Sequence, residues 1–127
     1  MQLGNALNWF EIPVNDFNRA KKFYETIFNY QMPENTMGPA RMGFFLFDMQ
    51  DGKVGGAIVY NPELFMPSDN GSLIYLNCQP DLQIVLNRVE TAGGTVLKNK
   101  TLITSELGYW ALIKDSEGNK VALHSMA

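Results

Sequence analysis

The chain has 127 residues, 46% hydrophobic and 18% charged, with a formal net charge of -3. That is one ordinary domain with its own core, and it excludes a disordered chain. The acidic balance argues against nucleic acid, which rewards clustered Lys and Arg, and no apolar run approaches the ~20 residues of a membrane span.

Residues 7–14 read as a strand, with Trp9 and Glu11 on one face and Phe10 and Ile12 on the other. Asn15 or Asp16 can cap the helix that follows, from about Asp16 to Phe28. Its buried stripe is Phe17, Ala20, Tyr24, Ile27 and Phe28, with Lys21, Lys22 and Glu25 toward water. Strands are expected at Tyr30–Met32, Met42–Phe47 and Lys53–Tyr60, the last two joined through Gln50-Asp51-Gly52. Residues 61–71, rich in Pro, Asn and Gly, form a linker.

A second strand follows at Ser72–Asn77, then a helix at 80–92 with Leu82, Val85, Leu86 and Val89 at helical spacing, closed by Gly93-Gly94. Strands are expected at Thr95–Leu97, Tyr109–Lys114 and Asn119–Ser125, the last two flanking the turn Asp115-Ser116-Glu117-Gly118. Residues 99–108 are ambiguous, with Thr101–Thr104 able to form a short strand. The plan repeats: Phe17, Ala20, Tyr24, Glu25 and Thr26 match Leu82, Val85, Val89, Glu90 and Thr91 at a constant offset. We read the chain as a single α+β domain, residues 1–127, of paired βαβββ modules: module one over about 5–60, a linker over about 61–71, module two over about 72–127.

The opening MQLGNALNWF lacks the basic and apolar regions of a signal peptide, and the single cysteine, Cys78, fits a reducing compartment. A cytoplasmic protein is expected, and the Asn70-Gly71-Ser72 and Asn99-Lys100-Thr101 glycosylation patterns are then chance matches.

The segments WFEIPVNDFNRAKKFYETIF and GYWALIKDSEGNKVALHS resemble the vicinal oxygen chelate superfamily, which includes glyoxalase I, bleomycin-resistance proteins and extradiol dioxygenases. The resemblance covers essentially the whole chain and implies a curved mixed sheet around a cavity. Metal-using members place His, Gln or Glu on four strands. The corresponding positions here are Trp9, one residue near Gly56 to Ile58, Leu73 and Ala122. None of these side chains can hold a divalent ion, which needs imidazole, carboxylate or thiolate donors. No metal and no cofactor is expected, and the chemistry such an ion carries in the family is in doubt.

Strand parity then names the expected lining. If Trp9, Leu73 and Ala122 face the cavity, so do Glu11, Tyr75, Asn77 and His124, and the resemblance adds Trp110 and Leu112. This composition suits a small hydrophobic or aromatic ligand with a polar handle. Glu11, among Trp9, Phe10 and Ile12, is expensive to bury alone; it reads as a general base or ligand acceptor, or else as a structural carboxylate. His124, the only histidine, reads as a partner in such chemistry or as an ordinary strand residue. Trp9 and Trp110 read as ligand-stacking residues or core packing, and Cys78 faces away from the cavity. The expected function is small-molecule binding by a homodimer. The alternatives are a metal-independent lyase or isomerase, with Glu11 as base and His124 or Tyr75 stabilising charge, and a structural or regulatory module whose pocket is filled by its own side chains.

Overall fold

A computed structural model describes residues 4–50 and 52–127. The chain runs β1 (Phe10–Pro13), α1 (Phe17–Phe28), β2 (Glu34–Met37), β3 (Ala40–Phe44) and β4 (Gly56–Tyr60). It continues with β5 (Tyr75–Asn77), α2 (Leu82–Leu86), β6 (Thr95–Thr104), β7 (Gly108–Lys114) and β8 (Lys120–Ser125). The strands hydrogen-bond as two four-stranded sheets, ordered β1-β4-β3-β2 and β5-β8-β7-β6. Both have the same topology: the first strand runs parallel to the last, and the remaining pairs are antiparallel. The α+β class and the paired βαβββ plan are those expected from the repeat.

Local chemistry explains the elements. Asp16 caps α1 from an extended conformation, its side chain accepting from the Arg19 N–H, and Asn29 closes the helix in the left-handed region at φ 56°. Phe17, Ala20, Phe23, Tyr24 and Ile27 are the buried positions; Phe28 is only half-buried. In the second module Asp81 caps α2 by accepting from the Gln83 N–H. The regular helix ends at Leu86, short of the expected residue 92. Beyond it the Arg88 and Val89 N–H groups bond three residues back, to Val85 and Leu86, so the segment tightens into turns while Val89 stays fully buried.

Several strands differ from expectation. Tyr30–Met32 is not a strand: the Met32 N–H bonds to the Glu25 carboxylate, holding this segment against α1, and β2 starts at Glu34. β3 ends at Phe44, and β4 begins only at Gly56, with an irregular loop between them. Within that loop Lys53 N–H donates to the Gln50 carbonyl; the Asp51 of the expected turn lies outside the described residues. β5 is shortened to Tyr75–Asn77, although Ala122 still bonds to the Ile74 carbonyl. The ambiguous segment 99–108 resolves mostly as the end of β6, paired with β7 through shifts in register.

A single core joins the modules. It takes the buried stripes of both helices, Ile12 and Ile58 from the first sheet, and Ala111, Ile113, Val121 and Leu123 from the second. Tyr24 meets Phe23 and Phe45 edge-on, at 4.9 and 5.1 Å between ring centroids. Polar groups fasten the same junction. The buried Tyr24 hydroxyl donates to Asp115 at 2.6 Å, and Asn119 donates to the Pro13 carbonyl at 2.8 Å. Glu117, in the β7–β8 turn, accepts from the Asn15 and Asp16 N–H groups at 2.9 and 2.8 Å and from Arg19 at 2.7 and 3.1 Å. Among the described residues no helix is long and apolar enough to cross a membrane.

Candidate functional site

Alternation along each strand sends one set of side chains to the core and the other to the opposite, outer face. In β1, Ile12 is buried and Glu11 exposed. In β8, Val121 and Leu123 enter the core, so Lys120, Ala122 and His124 take the outer face. Register then fixes the layout of the second sheet. Tyr75, Ala122, Leu112 and Lys98 form one row across β5, β8, β7 and β6, and Asn77, His124, Trp110 and Thr101 form the next.

On this face the Tyr75 and Trp110 rings lie 6.3 Å apart, and the Lys98 ammonium sits 5.8 Å from the Trp110 ring centre. Ala122 is fully buried between its larger neighbours, whereas Tyr75 is 53% exposed. Leu73, Trp110, Leu112 and Lys120 line a depression of about 190 Å³ beneath the linker residues Ser68–Ser72. Leu73 thus shares a surface with Trp110 and Leu112. His124 Nε2 lies 2.6 Å from the Leu107 carbonyl. A carbonyl only accepts, so Nε2 carries the proton and donates it there. That nitrogen is committed to the backbone, which weakens His124 as a catalytic group.

The outer face of the first sheet carries Trp9 and Glu11. The Trp9 ring lies 6.1 Å from Phe44 and 6.2 Å from Phe47, and its indole N–H donates to the Glu11 carboxylate at 3.3 Å. Glu11 is exposed. The expectation of a carboxylate buried among Trp9, Phe10 and Ile12 is therefore corrected: parity sends Phe10 and Ile12 inward and leaves Glu11 in water. The stretch Gly56 to Ile58 lies in β4, beside β1. Ala57 pairs with Glu11, while Ile58 is buried in the core on the other face. Trp9, Ala57, Leu73 and Ala122 present an indole and three hydrocarbons. No cluster of three His, Cys, Asp or Glu suited to a metal occurs among the described residues. These side chains do not fit a divalent ion.

The expected lining residues are not gathered in one cavity. Glu11 and Pro13 line a hollow of about 190 Å³ with Ser72, Ile74 and Lys120. Tyr75 and Asn77 line a larger one of about 630 Å³ with Phe10, Phe28, Tyr30 and Phe45. Trp110 and Leu112 line the third, on the outer face of the second sheet. The physical reason is that β1 and β5 are edge strands that do not pair with each other, so a seam opens between the sheets.

The 630 Å³ seam cavity was not legible from sequence, but Gly55-Gly56 signals it. A Cβ at Gly55 would fall 2.2 Å from the Phe47 ring, and one at Gly56 2.4 Å from the Phe10 ring. Each glycine is a floor on which a phenyl ring lies. Phe28 and Tyr30 stack in the same cavity at 5.6 Å, and burial pushes the Tyr30 phenol up, against the opposing hydrogen bond from the Leu46 N–H. Cys78 is buried in the core, and burial pushes its thiol up to about 12.

Residues 6–123 match the family model described as Glyoxalase/Bleomycin resistance protein/Dioxygenase superfamily. Among curated proteins no significant relative matches. Of solved structures, a glyoxalase I variant from Zea mays superposes with a TM-score of 0.71 at 19% identity, covering 93% of this chain but only 45% of that one. A glyoxalase/bleomycin resistance protein from Albidiferax ferrireducens T118 gives 0.69 at 17% identity, covering 95% and 98%. An antibiotic binding protein from Streptomyces sp. CB03234 gives 0.66 at 18% identity and covers both chains in full. At these identities the likeness is one of fold.

Proposed function

Because the chain belongs to the glyoxalase/bleomycin resistance protein/dioxygenase superfamily, with hydrocarbon and indole side chains where metal-using members carry ion donors, we propose that it binds a small hydrophobic or aromatic molecule without a divalent metal. The observation that carries this reading is the outer face of the second sheet. There Tyr75 and Trp110 stand 6.3 Å apart beside Leu73 and Leu112, in register with the small Ala122. A tilted aromatic pair next to aliphatic side chains offers stacking area to a flat ligand. The full-length likeness to an antibiotic binding protein is consistent with such a role.

The large apolar residues left open support a homodimer as the working form. Trp9 is 36% exposed, Leu73 40% and Tyr75 53%, and a second copy covering them would enclose the ligand. Light scattering behind size-exclusion chromatography reports the mass, and a strictly monomeric protein at micromolar concentration removes the dimer.

The binding reading is tested with a thermal-shift panel of aromatic metabolites and antibiotics, alongside mass spectrometry of small molecules that copurify. A true ligand at a hundred times its Kd stabilises the fold by ~2.7 kcal/mol, enough to raise the midpoint by several degrees. Trp110→Ala, with its fold checked by circular dichroism, should abolish that rise. A panel with no shift at all, or a shift indifferent to Trp110→Ala, defeats the proposal. Metal analysis of the purified protein is a separate check: stoichiometric zinc, nickel, manganese or iron would overturn the metal-free part.

A further inference from the structure

We propose, resting on the aromatic-binding reading above, that the outer face of the second sheet selects a flat aromatic anion, such as an aryl carboxylate or sulfonate. The argument is one of charge around an apolar floor. The chain carries a net charge of -3, yet three strands of this sheet each present a lysine to this face. Lys98 of β6 lies in register with Leu112 and reaches to 5.8 Å from the Trp110 ring centre. Lys120 of β8 lies opposite Lys114 of β7 and lines the depression with Leu73, Trp110 and Leu112.

The acids of the neighbourhood do not cancel them. Asp69 lies 3.6 Å from Lys114 and engages that lysine. Glu11 belongs to the adjoining hollow, which Lys120 also lines, and its carboxylate already accepts from the Trp9 indole. The Lys98 and Lys120 ammonium groups make no hydrogen bond or ion pair with any described residue. A cation over an indole and a second on the rim of the same depression form a pattern in which the ring plane sets a ligand's orientation and the ammonium groups meet its charged end. A cationic ligand would stack on the same indole but face two like charges, and a neutral one would gain nothing from them.

The test uses three ligands of one shape: 2-naphthoate, 2-naphthamide and 2-naphthylmethylammonium. Affinities come from calorimetry, and the Trp110 indole N–H signal in NMR spectra reports whether binding occurs on this face. Naphthoate should bind about tenfold tighter than the amide, the sum of two exposed charge pairs, and the ammonium weakest of the three. Raising the salt to about 0.5 M should erase most of that difference, because exposed charges are screened at that ionic strength. The double variant Lys98→Met, Lys120→Met, with its fold checked by circular dichroism, should bring naphthoate and naphthamide to the same affinity.

Equal affinities in the native protein, a preference for the ammonium, or a naphthoate preference that survives in the double variant each overturn the anion assignment while leaving aromatic binding in place. If none of the three ligands moves the Trp110 signal, the aromatic reading fails along with it.

Discussion

Removal of the Glu117 carboxylate is the sharpest test of how the two modules are held together. Its side chain is wholly covered, with no exposed surface, and it gathers the N–H groups of Asn15 and Asp16, the Arg19 guanidinium and the Ser116 hydroxyl. These contacts tie the β7–β8 turn of one module to the start of α1 in the other. A hydrogen bond to a charged group is worth ~1.5–3 kcal/mol, but Arg19 is more than half exposed and recovers water when its partner goes. The two backbone bonds therefore dominate, and Glu117→Ala should cost about 2–3 kcal/mol, taken from the low end of that range. For a chain of this size that is a fall of roughly 6–12 °C in Tm.

The acid dependence has a definite sign. Burial pushes the Glu117 carboxyl up, but the hydrogen bonds from Arg19, Asp16, Ser116 and Asn15 together outweigh it and hold the group below the ordinary carboxylate value. A group with a lowered folded-state pKa contributes stability above its unfolded value, and that contribution is lost as pH falls through the folded one. Native protein should therefore lose stability below about pH 4.5 more steeply than Glu117→Gln, measured by urea unfolding between about pH 3 and 7. The reasoning is refuted if Glu117→Ala moves Tm by less than about 2 °C, or if the acid slopes of native protein and Glu117→Gln coincide.

Other perturbations probe the core. Tyr24→Phe deletes the hydroxyl that donates to the buried Asp115, and should cost ~1.5–3 kcal/mol in denaturant unfolding; a loss under about 0.5 would mean the carboxylate finds another donor. Gly56→Ala places a methyl where the Phe10 ring lies and should destabilise by about 1–3 kcal/mol, whereas Gly71→Ala, which meets nothing within 4 Å, should not. Cys78, buried and with its thiol raised to about 12, should resist a thiol reagent at pH 8 in the native protein and react fully in denaturant; rapid native labelling would place it at the surface.

Much of the fold was legible because its signals are local. Asp16 before an amphipathic stripe, Gly93 after one, and the offset match of Phe17, Ala20 and Tyr24 to Leu82, Val85 and Val89 specify two strand–helix modules through capping and periodicity alone. Strand parity, a period of two, also puts Trp9 with Glu11, and Ala122 with His124, on shared faces. What sequence could not supply is distance between elements. Whether Trp9 and Trp110 share a cavity depends on how two unpaired edge strands, β1 and β5, are set by the core beneath them. That core is fixed by long-range contacts such as Tyr24 with Asp115 and Glu117 with Asn15, which leave no periodic trace. Side-chain chemistry along the strands was written in the chain; the separation of Trp9 and Glu11 from Tyr75 and Trp110 onto different sheets was decided by tertiary packing, because burial follows from three-dimensional neighbours and not from adjacent residues.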